Sequence, residues 1–122
     1  MPSKATVDAF VAQVISGDHV GAIRDWYADD AWMQENLGAR RLGGREALMA
    51  QEAATLAGVA GVETELLDPP MIEGDRVAIH WRFNFLRKDG GKFSIEEIAW
   101  QRWRGDKVAE EVLFYDPAQM GR

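Results

Sequence analysis

Apolar residues recur at Val7, Phe10, Val11, Val14 and Ile15, the three-and-four spacing that lines one face of a helix, and Gly17 ends the run. Asp18 stands as an N-cap for a second helix carrying Val20, Ile23, Trp26 and Tyr27, which closes near "ADDA". "AWMQENLG" (31–38) predicts a short strand running into a glycine loop. "GREALMAQEAATLAG" (44–58) predicts a third helix with Leu48, Met49, Glu52, Ala53 and Leu56 near one stripe. From Val62 the period changes to two, with strands at about 62–67, 76–87, 92–104 and 107–115. "KDGG" and "RGDK" supply hairpin turns between the last three, and Asp68–Pro70 ("DPP") is a turn because proline cannot donate to a ladder. This order defines an α+β class: helix, helix, strand, helix, then a mostly antiparallel sheet with the helices to one side.

The longest strand, "VAIHWRFNFL" (77–86), has two unequal rows. Val77, Ile79, Trp81, Phe83 and Phe85 are all apolar, whereas Ala78, His80, Arg82 and Asn84 alternate with them. Taken by itself, this pattern puts the odd row in the core and the polar row in water.

Composition narrows the function classes. A chain of 122 residues suits one domain (1–122) that buries its own core, and 47% hydrophobic with 28% charged residues is ordinary for a globular protein. A net charge of -6 repels nucleic-acid phosphates and anionic membranes. Arg40, Arg41 and Arg45 in "GARRLGGR" read as a solvated loop open to an anionic substrate group. There is no cysteine, hence no disulfide or thiol nucleophile. No stretch approaches the ~20 apolar residues of a membrane span, and the N-terminus has no continuous apolar signal core, so a cytoplasmic location without membrane partners is expected.

The element order, with "SGDHVGAIRDWYADDAWMQE" early and "IAWQRWRGDKVAEEVLFYDPAQ" late, resembles the SnoaL-like group of the nuclear-transport-factor-two-like superfamily. The resemblance covers nearly the whole chain. It implies a cone: a strongly curved sheet wrapped around the first helix, with a pocket between its concave face and the helices. That fold hosts isomerases, dehydratases, cyclases, epoxide hydrolases and binding proteins. The ketosteroid isomerase pattern places its base on Glu35, its oxyanion-hole tyrosine on Phe10 and its oxyanion-hole acid near Ala99. The last two cannot donate a hydrogen bond, which argues against that particular reaction. The resemblance also implies that Ala78, His80, Arg82 and Asn84 face the cone interior, with Glu97, Gln101, Trp103, Glu111, Leu113 and Tyr115 from the next two strands.

The expected chemistry is cofactor-free proton transfer on a small, largely apolar ligand, of isomerase, dehydratase or cyclase type. Glu35 is the candidate base, and His80 with the Glu97/Glu111 pair is the candidate proton partner, since crowded inner carboxylates resist ionisation. Arg82 would balance charge; Trp26, Gln101, Trp103 and Tyr115 would line the ligand site. Each also has a structural reading, as an ion pair or as packing, and the alternative function is a non-catalytic ligand-binding or assembly module. His19, beside the Asp18 cap, is expected at the surface. No histidine spacing suggests a metal, and "LGGR" lacks the lysine and spacing of a phosphate loop. An inward polar row would force Val77, Ile79, Trp81, Phe83 and Phe85 onto the convex face with Ile98, Trp100, Val112 and Phe114. The expected cover is a second copy in a homodimer centred on Trp81, Phe83 and Trp100.

Overall fold

The computed structural model describes residues 1–120. Helix α1 (Lys4–Ile15) starts at Ser3, whose hydroxyl accepts from the Thr6 amide, and buries Val7, Phe10, Val11 and Val14. Helix α2 (His19–Trp26) is capped by Asp18, whose side chain accepts from the Gly21 amide. Strand β1 (Tyr27–Glu35) begins directly afterwards, four residues before the sequence pattern predicts a strand. Tyr27 pairs with Val108 and is buried, so sheet pairing takes it from the helical run.

Helix α3 (Gly44–Ala57) enters through Gly43 and Gly44, both with positive φ. A Cβ on Gly44 would collide with the Asp29 carbonyl, so the double glycine lets α3 start against β1. Strands β3 (Gly61–Leu66), β5 (Arg76–Leu86), β6 (Lys92–Arg104) and β7 (Lys107–Tyr115) follow the period-two expectation closely. The two-residue β2 (Arg40–Arg41) and three-residue β4 (Met71–Glu73) carry too few residues to show a period. The sheet order is β2-β1-β7-β6-β5-β3, with β4 also on β5; β1 and β7 run parallel and every other pairing is antiparallel. The result is an α+β fold in which a curved, unclosed sheet holds the helices on one face. Among the described residues no helix is long and apolar enough to cross a membrane.

The inner face of β5 reverses the placement implied by the resemblance. Val77 and Ile79 are fully buried and Trp81 is 3% exposed, whereas His80, Arg82 and Asn84 lie on the outer face. Fully burying a large apolar side chain is worth about 1.5–3 kcal/mol. Turning β5 over would therefore forfeit on the order of 5–9 kcal/mol for Val77, Ile79 and Trp81 alone. The expected dimer centre on Trp81 and Phe83 falls with that reversal. Ile98, Trp100 and Phe114 do lie outward, each between a third and two-fifths exposed.

Candidate functional site

Between the inner sheet face and the helices lies a cavity of about 330 Å³, within the range of small-molecule sites. The sheet lends it Trp81, Phe83 and Phe85 from β5, Glu97 from β6, and Glu111, Leu113 and Tyr115 from β7. The helices add Phe10, His19 and Glu52, and Tyr27 and Glu35 mark the two ends of β1.

Glu111 is 4% exposed and fully engaged. The Tyr27 hydroxyl donates to its Oε1 at 2.6 Å, and Gln101 Nε2 donates to its Oε2 at 2.6 Å. Trp103 Nε1 in turn donates to Gln101 Oε1 at 2.9 Å, and the Trp103 ring meets Phe10 edge-on. Burial raises the Glu111 pKa, opposed by the two hydrogen bonds; burial and then Glu111 itself push Tyr27 well above its usual value. Gln101 and Trp103, expected as ligand contacts, thus lie beneath the cavity as the support of Glu111 and are absent from its lining.

Glu97 has no such support. It lines the cavity and makes no hydrogen bond or ion pair with any described residue. Burial, followed by the charges of Glu111, Glu35 and Glu52, pushes its pKa up to about 8. Its carboxyl therefore exchanges a proton in the neutral range.

At the mouth, Tyr115, the residue paired with Glu97 across β6 and β7, donates its hydroxyl to Glu35 Oε2 at 2.9 Å. Burial and then Glu35 raise the Tyr115 pKa to about 12, so the phenol keeps its proton. Arg41 stands 3.9 Å from the other Glu35 oxygen. Asn36 fixes this corner: its side-chain oxygen accepts from the Tyr115 amide, and its own amide donates to the Leu113 carbonyl. The positive φ of Asn36 and Leu37 turns the chain away just after Glu35.

Two contributors escaped the sequence reading. His19 is 6% exposed rather than superficial, with Nε2 2.9 Å from Thr64 Oγ1, Nδ1 3.8 Å from Glu52, and its ring edge-on to Phe83. Burial lowers its pKa, opposed by the Val14 backbone and Asp18, so the ring is neutral near pH 7. Burial, then Glu111 and Glu35, raises the pKa of Glu52, against Arg41. Its place one α-helical turn from Leu48, and so on the same stripe, was the available signal for Glu52.

The remaining expected site residues lie elsewhere. His80 sits on the outer face between Asp68 (Nδ1 to Oδ2, 2.6 Å) and Glu96 (Nε2 to Oε2, 2.9 Å), which raise its pKa. Arg82 lies beside it, 3.4 Å from Glu96 and 3.8 Å from Glu65. Trp26 donates Nε1 to Gln13 Oε1 at 2.8 Å and does not line the cavity. No group of three or more metal-ligating side chains converges on one point among the described residues.

This frame matches the SnoaL-like domain over residues 7–111, and the chain belongs to that family. No curated protein matches it by sequence. Among solved structures it is similar to a Mesorhizobium loti protein named for SnoaL-like polyketide cyclases (24% identity, TM-score 0.77, covering 94% of this chain and 100% of that one). It is similar also to a hypothetical protein of ketosteroid isomerase-like fold from Catenulispora acidiphila, solved with trimethylamine (22%, TM-score 0.78, 93% and 87%). TsrD from Streptomyces laurentii matches at 14% identity and a TM-score of 0.81, over 98% and 95%. At these identities the likeness is one of fold.

Proposed function

We propose that this chain binds a small, largely apolar organic molecule and carries out cofactor-free acid/base chemistry of isomerase, dehydratase or cyclase type. The observation that carries the reading is Glu97: a carboxyl in an open cavity, without a hydrogen-bond or ion-pair partner among the described residues, whose pKa is pushed up to about 8. A carboxyl that structural pairing had claimed would resemble Glu111, with both oxygens taken. Glu97 gives and takes the proton, Glu35 is the second carboxylate at the mouth, and the Tyr115 phenol, which donates to Glu35, redirects that one hydrogen bond to a substrate oxygen when the ligand binds. Glu111, with Tyr27, Gln101 and Trp103, holds the floor rigid.

The outer patch of Ile98, Trp100 and Phe114, with Met71 beyond it, supports pairing with a second copy through that face. The absence of cysteine fits a cytoplasmic location.

The test is exchange of α-protons for deuterium in a panel of small aryl ketones, neutral and amine-bearing, followed by NMR. The expected result is acceleration over buffer that Glu97→Gln and Glu35→Gln each reduce at least tenfold. No acceleration by the wild-type protein, or full activity in both variants, contradicts the reading.

A further inference from the structure

The cavity's walls and its charges select a ligand class. Six aromatic rings line it: Phe10, Tyr27, Trp81, Phe83, Phe85 and Tyr115. Ring faces carry negative quadrupole potential and attract cations. Four carboxyl groups, Glu35, Glu52, Glu97 and Glu111, open onto the same space. Among the described lining residues the one Arg or Lys is Arg41, at the mouth and already set against Glu35. His19, the remaining basic side chain there, is held neutral by burial. The ring faces therefore favour a cationic over a neutral apolar ligand, and four carboxyls against one arginine at the mouth add to that preference.

We propose that the cavity takes an organic cation, a protonated or quaternary amine bearing a small aryl or alkyl group, whose ammonium sits against the ring faces and the inner carboxylates. The proposal rests on the reading of Glu97 as the exchangeable-proton group. When empty, the cavity limits repulsion among its carboxyls by keeping a proton on Glu97, which is raised by burial and by Glu111, Glu35 and Glu52. An ammonium supplies the missing positive charge, so Glu97 releases its proton to solvent as the cation enters and net charge is conserved within the site. An anion would meet the same carboxylates with repulsion.

Three probes of one size separate the cases: benzylamine, benzyl alcohol and benzoate, titrated calorimetrically at pH 7 in two buffers of different ionisation heat. The expected result is that benzylamine binds about tenfold or more tighter than benzyl alcohol, that benzoate does not bind, and that the amine's heat reports proton release. In Glu97→Gln, proton release disappears and the preference for the amine shrinks. Phe83→Leu weakens amine binding while leaving proton release per bound ligand intact. Binding of benzyl alcohol or benzoate as tight as that of benzylamine overturns the ligand class while leaving the acid/base role of Glu97 to the exchange assay. So does failure of all three to bind, or a Glu97→Gln variant with unchanged preference and proton release.

Discussion

Trp81 and Glu97 are paired residues on neighbouring antiparallel strands, both on the inner face. Directly opposed residues share a face, so the indole stands beside the carboxyl and adds to its apolar surroundings. The carboxyl is desolvated without gaining a donor among the described residues, and Glu111, Glu35 and Glu52 add like charge. Its raised pKa follows from this placement.

That placement has a stability cost with a definite pH sign. The Glu97 pKa is raised in the fold from 4.5 to about 8, so between those values the unfolded chain has released a proton that the folded chain retains. Stability is therefore lost as pH rises from about 4.5 to about 8. Glu97→Gln removes this slope: its melting temperature should equal or exceed the wild type's at pH 5, and the margin should widen up to pH 8. Thermal unfolding across that range checks it, and a margin that narrows with pH contradicts it.

The two histidines should titrate in opposite directions. His19, with its pKa lowered by burial, destabilises the fold as pH falls below 6.5, where the unfolded chain takes up a proton that the fold resists. His80, raised by Asp68 and Glu96, contributes stability that is complete below 6.5 and fades as pH rises through its higher folded value. Proton NMR of the two ring resonances should show one midpoint on each side of 6.5. Identical midpoints would contradict both placements.

Tyr27→Phe keeps the ring and removes the donor to Glu111 Oε1, which leaves a buried carboxylate oxygen unsatisfied. The expected loss is about 1–3 kcal/mol in urea denaturation. A change below about 0.5 kcal/mol would show that water or another donor replaces the phenol.

Trp100 is 39% exposed on the outer face, and Arg76 lies over its ring. If that face pairs with a second copy, wild type sediments as a dimer and Trp100→Glu as a monomer, with the cavity intact in both. A wild-type monomer at micromolar concentration would contradict the pairing and leave the cavity chemistry untouched.

The helices and long strands were legible because their periods are clean. The conflict over "VAIHWRFNFL" turned on the register of the following hairpin, which a turn signal such as "KDGG" leaves open by one residue and the structure fixes. The "KDGG" hairpin pairs Leu86 with Lys92, so even residues of β5 face even residues of β6. An inner row containing Glu97 must therefore contain Trp81, and it excludes His80. The resemblance mixed the two rows, and the simple apolar pattern was the better guide. Glu35, Glu97, Glu111 and Tyr115 were found at the cavity because strand alternation and the family pattern agree there. His19 was missed because a residue just after an N-cap is usually solvated; here its side chain reaches Thr64 of β3 and Phe83 of β5 and is buried beside them. The partnering of Glu111, set against the isolation of Glu97, depends on distances that no period encodes.

Glu97 keeps its proton near neutrality and has no hydrogen-bond or ion-pair partner among the described residues, whereas Glu111 and Glu35 beside it are both engaged. The most direct test is a carbon NMR titration of the glutamate carboxyl resonances, with the Glu97 signal assigned by its loss in Glu97→Gln. The account predicts a midpoint near 8. A Glu97 midpoint in the ordinary carboxylate range, about 4.3, would contradict it.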